Sequence, residues 1–141
     1  QHLAKKLKAD KIDLYTMLNL EMIGVPFTDR PYDALITGYE LSNMSAKINE
    51  YTNSNLTGFS EVAKKYNLFK QSDNYAFYLE FNLPCQTISS CDLSNYDYYH
   101  HVDDEADKLD YNHMASLINK VIPAIEKMCN TPTKEIVSTH E

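Results

Sequence analysis

The chemistry-bearing residues of this chain concentrate at 98–111, where Tyr98, Tyr99, His100 and His101 run into Asp103, Asp104, Glu105, Asp107 and Asp110. Imidazole nitrogen is the commonest protein ligand of a metal such as zinc, and a ligating histidine needs a polar partner that fixes its tautomer. The carboxylates that follow are suited to that task. They have a plainer use as well, complementing the positive N-terminus of the helix they lead into. A second candidate is Glu21, a single carboxylate near the end of the apolar run 14–24. The run reads as a buried strand of a mostly parallel sheet. A carboxylate is costly to bury unless it is paired or bound to a metal, and open α/β sheets hold ligands at the carboxyl ends of such strands. The alternative for Glu21 is an ion pair with Lys11 or with a lysine of a neighbouring strand.

The elements that would position these groups alternate between helix and strand. The end of a helix is expected at 1–9, the strand just described at 14–23, and a second strand at 33–37 closed by Gly38. Helices follow at 42–51, capped by Ser42, and at 60–66. Ser72 or Asp73 is expected to cap a helix at 74–81. A strand covers 86–89, and the final helix covers 111–128. In that helix Met114, Leu117, Ile118, Val121, Ile122 and Ile125 recur at helical spacing and are expected to face the core. Residues 1–129 then form one partial domain, and 130–141 a polar tail.

Composition narrows the class. With 43% hydrophobic and 23% charged residues among 141, the chain can build one globular core and has no disordered signature. A net charge of −7 argues against nucleic acid as a partner, because phosphate contacts need a basic face. The longest apolar run falls well short of the roughly 18 residues of a membrane span. Cys85 and Cys91 stand about 20 Å apart if the chain between them is extended, so they pair only across a sharp turn. Cys85 and Cys129 read as core residues, and Cys91 is left open. Tyr96, Tyr98 and Tyr99 gather just before His100, either as walls of a substrate cleft or as half-buried edges of the core.

Four segments in order make a more specific pattern. They are Asn19-Leu20-Glu21-Met22-Ile23-Gly24, then Ser72-Asp73-Asn74-Tyr75-Ala76-Phe77, then Leu83-Pro84, then Tyr99-His100 with Asp104 and Asp107-Lys108-Leu109-Asp110-Tyr111. Together they resemble the C-terminal half of the co-catalytic zinc aminopeptidases. This is metallopeptidase family twenty-eight, to which leucyl aminopeptidases, glutamate carboxypeptidases and glutaminyl cyclases are related, and the resemblance runs over about 1–128. The family's segments typically read N-x-D-M-I-G, S-D-H-x-x-F and Y-H-T-x-x-D-T-x-x-K-x-D. The resemblance implies a partial three-layer α/β/α domain with a mixed, mostly parallel sheet of the zinc-peptidase type. It implies that Glu21 ligates one zinc and His100 the other, with Asp73, Asn74, Tyr99, His101 and Asp104 in the pocket or just behind the ligands. His100 is preferred to His101 because the family's aspartate falls four residues later, at Asp104.

Three departures stand out: Glu21 where aspartate is usual, Asn74 where histidine is usual, and His101 where threonine is usual. The family's upstream H-x-D segment and Glu-Glu pair, which supply the bridging aspartate, the general base and further ligands, are not in this sequence. The resemblance therefore implies a piece of a two-zinc aminopeptidase whose partners are a peptide substrate and a missing N-terminal half. The piece alone is expected to be inactive and to hold no zinc. A one-zinc glutaminyl cyclase and a non-catalytic interaction module that kept the fold are the alternatives. Localisation is left open, a secreted or periplasmic one being compatible with the family.

Overall fold

The computed structural model describes residues 1–139. The helices are α1 (His2–Ala9), α2 (Met44–Thr52), α3 (Glu61–Lys65), α4 (Asn74–Phe81) and α5 (Tyr111–Asn130), and the strands are β1 (Met17–Leu20), β2 (Ala34–Ile36), β3 (Thr57–Gly58) and β4 (Cys85–Ser89). The strands form one sheet in the order β1-β4-β2-β3. β1 runs parallel to β4 and β2 parallel to β3, whereas β2 and β4 are antiparallel. The fold is therefore α/β with a mixed, mostly parallel sheet.

Strand alternation sorts the side chains into two layers. Ala34, Ile36 and Ile88 face α2 and α5, where they are buried with Met44, Ile48, Leu117 and Val121. Leu35, between them in sequence, points to the opposite face and packs with Ala63 and Leu68. On that second face α4 packs against α1, β1 and β4. Three α/β/α layers result, with β1 and β4 delivering their carboxyl ends to the same edge.

Several details depart from expectation. β1 is shorter than the apolar run, and it is half-buried at the sheet's edge rather than enclosed; an apolar run does not say how many neighbours its strand will have. β3, only two residues long, carries too little pattern to be read; its Gly58 admits Tyr32 so closely that a Cβ would lie 2.0 Å from the ring. Ser42 does accept the Met44 amide, one residue outside the cap position held by Asn43. Neither Ser72 nor Asp73 caps α4 with its side chain; the Tyr75 amide bonds to the Ser72 carbonyl instead.

On α5, Leu117, Val121, Ala124 and Met128 turn inward. Ile118, Ile122 and Ile125, expected in the core, sit one residue round the helix and are 41%, 42% and 37% exposed, since each step turns the side chain by about 100°. Cys129 shares that outer face and is exposed, against the expectation that it is core. The 130–141 segment is less a tail than a strap as far as residue 139. Ile136 is 2% exposed in the core, Glu135 accepts from Tyr51 and Lys47, and Ser138 bridges to Ser42.

Candidate metal centre

The carboxyl ends of β1 and β4 meet at a pocket of about 570 Å³. Its formation begins with β1. The Glu21 amide continues the ladder by donating to the Ile88 carbonyl at 3.1 Å, and Met22 then reverses the chain in the left-handed region, φ +50°. A methionine there costs about 1–3 kcal/mol and persists only where neighbours over-determine it. They do: the Met22 carbonyl accepts from the Ser90 amide at 3.2 Å and from the Ser89 and Ser90 hydroxyls at 3.3 and 3.4 Å. Beyond the turn, the Gly24 carbonyl accepts from the Asp110 amide at 2.8 Å. Leu109 closes on Gly24 so tightly that a Cβ would meet it at 2.9 Å, which gives the glycine its reason. The loop after β1 is thereby fastened to the segment that precedes α5.

Glu21, Tyr99, His100 and Asp104 all line this pocket, together with Met22, Ile23, Val25, Leu109 and Met114. Two candidate ligands 79 positions apart in sequence thus open on one cavity. The Glu21 carboxylate accepts a 3.0 Å hydrogen bond from the Asn19 amide. No ion pair reaches Glu21 among the described residues, so the pairing with Lys11 is set aside. His100 is exposed, also left-handed at φ +57°, and its ring stacks on Tyr99 with centroids 4.0 Å apart and planes 19° apart. Asp104 takes the Tyr96 hydroxyl as donor. That hydrogen bond, with burial behind it, pushes the Tyr96 phenol up to about 12, so Tyr96 acts as a donor and never as a base near neutrality.

Three of the residues expected in the pocket or just behind the ligands do not line the pocket. His101 turns outward, its Nδ1 accepting from the Asp103 amide at 3.2 Å and lying 3.3 Å from the Asp103 carboxylate. Asp73 is exposed, and its side chain makes no hydrogen bond or ion pair among the described residues. Asn74 is wholly buried beneath the site instead of in its wall. Its amide donates to the Cys85 and Phe69 carbonyls at 3.0 and 3.3 Å, and its oxygen accepts from Thr87 at 2.9 Å.

Sequence reasoning missed Asn19, Thr87 and Cys91. Asn19 precedes Glu21 by the strand period of two, a signal that was there to be read; Thr87 and Cys91 depend on which strands pair. Cys91 lines the pocket, and burial raises its thiol. Next to it, Asp92 is fully buried and accepts from Arg30, Ser60 and Ser94. Burial alone would raise this carboxyl, yet the hydroxyl and amide donors and the Arg30 charge prevail and lower it.

The donor set suits zinc in kind, an oxygen from Glu21 and a nitrogen from His100. It falls short in number, because among the described residues no three His, Cys, Asp or Glu side chains gather closely enough to hold an ion. Comparison with known proteins gives one match: the profile of Peptidase family M28 matches residues 1–125. No curated protein and no solved structure matches.

Proposed function

Because this chain belongs to Peptidase family M28, whose members are metallopeptidases and generally zinc-dependent, we propose that it forms part of an aminopeptidase site in which Glu21 and His100 each give one ligand to a zinc ion. The observation that carries the aminopeptidase reading is the charge of the pocket. Glu21 and Asp104 line it, and no lysine or arginine does. Such a wall attracts the ammonium group of a peptide's N-terminus and offers nothing to a C-terminal carboxylate. Met22, Ile23, Val25, Leu109 and Met114 add an apolar side, suited to an aliphatic or aromatic first residue.

Zinc, when bound, supplies a hydroxide at neutral pH and a Lewis acid for the scissile carbonyl. This chain's own residues do the rest of what can be assigned to it. Glu21 presents a carboxylate whose orientation is set by the Asn19 amide. His100 presents an imidazole backed by Tyr99. Leu109, pressed on Gly24, keeps the pocket wall closed. Two donors do not complete two metal positions, and no lining residue is placed as the general base, so the remaining ligands and the base are proposed to come from outside these residues.

The test is an aminoacyl chromogenic assay with excess zinc, on the 141-residue chain alone and on the same chain joined to an upstream family half carrying H-x-D and Glu-Glu. Turnover is expected only in the second case, and it should disappear with Glu21→Ala or His100→Ala. Robust zinc-dependent turnover by the chain alone would overturn the proposal. Peptides beginning with glutamine, run in parallel, distinguish cyclisation from hydrolysis.

A further inference from the structure

Behind Glu21 lies a continuous line of side-chain hydrogen bonds that ends in the buried backbone. The Asn19 amide nitrogen donates both to Glu21 Oε2 at 3.0 Å and to Thr87 Oγ1 at 3.2 Å. The Thr87 hydroxyl in turn donates to Asn74 Oδ1 at 2.9 Å. Asn74 spends its own amide protons on the carbonyls of Cys85 and Phe69. Each member has its hydrogen-bonding capacity directed, so each fixes the next. Asn74 can only present its oxygen to Thr87, because its nitrogen faces two carbonyls. Thr87 must then donate to Asn74, which leaves a lone pair of its oxygen for Asn19. Asn19 is held by Thr87 with its nitrogen toward β4, and the same nitrogen has one proton left for Glu21.

The strand pairing makes this line feasible. Asn19 and Thr87 are register partners in the parallel β1–β4 ladder, so their side chains stand side by side on the α4 face. Asn74 opens α4 directly above them. Thr87 and Asn74 are 1% and 0% exposed, where water cannot substitute for a lost partner and a broken bond is costly.

We propose that Asn19, Thr87 and Asn74 are positioning residues for the Glu21 carboxylate, holding Oε2 so that Oε1 is the oxygen offered to the metal. The proposal rests on the reading of Glu21 as a zinc ligand and deepens it. A neutral donor is well chosen for the purpose. It orients the carboxylate without cancelling its charge, as a lysine at the same place would. The line gives Asn74 a place behind the ligand, on which it acts from three hydrogen bonds away.

The experiment compares Thr87→Val, which keeps the shape and removes the hydroxyl, with Thr87→Ser, which restores it. Two readouts are needed. In the chain joined to the upstream family half and loaded with zinc, zinc affinity is measured by chelator competition; Thr87→Val should weaken it about 10- to 100-fold, the usual range for groups behind a metal ligand, and Thr87→Ser should stay near the parent. In the same protein stripped of metal, the ¹³C resonance of the Glu21 carboxyl should shift in Thr87→Val and not in Thr87→Ser. If Thr87→Val does not fold, Asn19→Ala, at a half-exposed position, gives the same two readouts.

Affinity and resonance both unchanged in the valine or alanine variant would overturn the proposal. A moved resonance with unchanged zinc affinity would keep Glu21 as a held side chain but remove it as a ligand, overturning the metal role and the functional reading beneath it. Weakened affinity in both the valine and the serine variants would point to general damage and overturn the specific role of the hydroxyl.

Discussion

The two halves of the candidate centre are built on opposite plans. Glu21 stands at the end of a sheet strand, with the Met22 carbonyl latched by three donors and its carboxylate tied through Asn19 to buried Thr87 and Asn74. Beside it, Asp92 clamps the exit of β4 to Arg30 and Ser60. His100 stands in a segment held by local turns, exposed, with a stacked tyrosine for support and no hydrogen bond to its ring among the described residues. The contrast teaches that one side of the site is set when the chain folds, whereas the other has room to adjust as its ligand engages.

The largest expected effect breaks the rigid half. Asp92→Ala leaves Arg30 with only the exposed Asp29 as charge partner and Ser60 without its acceptor, and should cost about 3 kcal/mol, the lower end for a buried pair because Arg30 keeps Asp29 and some contact with water; the urea unfolding midpoint measures it. Acid probes the same group in the parent chain. The Asp92 carboxyl is lowered in the folded state, so the unfolded state takes up the proton first. Its stabilisation is therefore complete above the unfolded value of about 3.9 and is lost as pH falls through that value toward the lower folded one. Asp92→Asn should flatten this acid limb. A limb of unchanged steepness would deny Asp92 its part.

A smaller, paired effect compares the halves directly. Met22 and His100 both lie at positive φ, where a β-branched residue is strained. Met22→Val should cost about 2 kcal/mol, since its turn is latched and cannot relax, and His100→Val less than about 1 kcal/mol, since its loop can. Equal losses in urea unfolding would erase the distinction drawn here. The smallest effect is expected from His101→Ala, with stability within about 0.5 kcal/mol of the parent and, in the chain joined to the upstream half, zinc affinity unchanged, because this imidazole turns to Asp103 rather than the pocket. A marked fall in zinc affinity would make His101 a ligand after all.

Some of this was legible in the chain itself. The apolar runs and helical stripes placed strands and helices along the chain, the α/β/α layering was implied by the resemblance, and the bounds of α4 fell as expected. The meeting of Glu21 and His100 was legible only through resemblance, since no local pattern brings positions 79 apart together. Asn74 was expected in the pocket or just behind the ligands, and which of the two it takes was not legible, because the place of a buried amide is decided by which carbonyls surround it. The outward face of α5 was misread for a related reason. Ile118, Ile122 and Ile125 have the same periodicity as the buried stripe beside them, and periodicity reports apolar residues without saying which of two adjacent stripes the domain covers.

The alternation of β1 also bears on how this sequence can vary by inheritance. Leu18 packs on the α5 side of the sheet, Asn19 reaches Thr87 on the α4 side, and Glu21 shares the parity of Asn19. Loss of a single codon between Met17 and Asn19 would shift the register by one and turn every later side chain to the other face. Leucine would then stand among Thr87 and Asn74, and an amide would enter the apolar layer. Changes of letter in this strand can be absorbed one at a time, but a change of length reverses the whole strand at once, so lineages that keep the site should vary here in spelling and hardly ever in count.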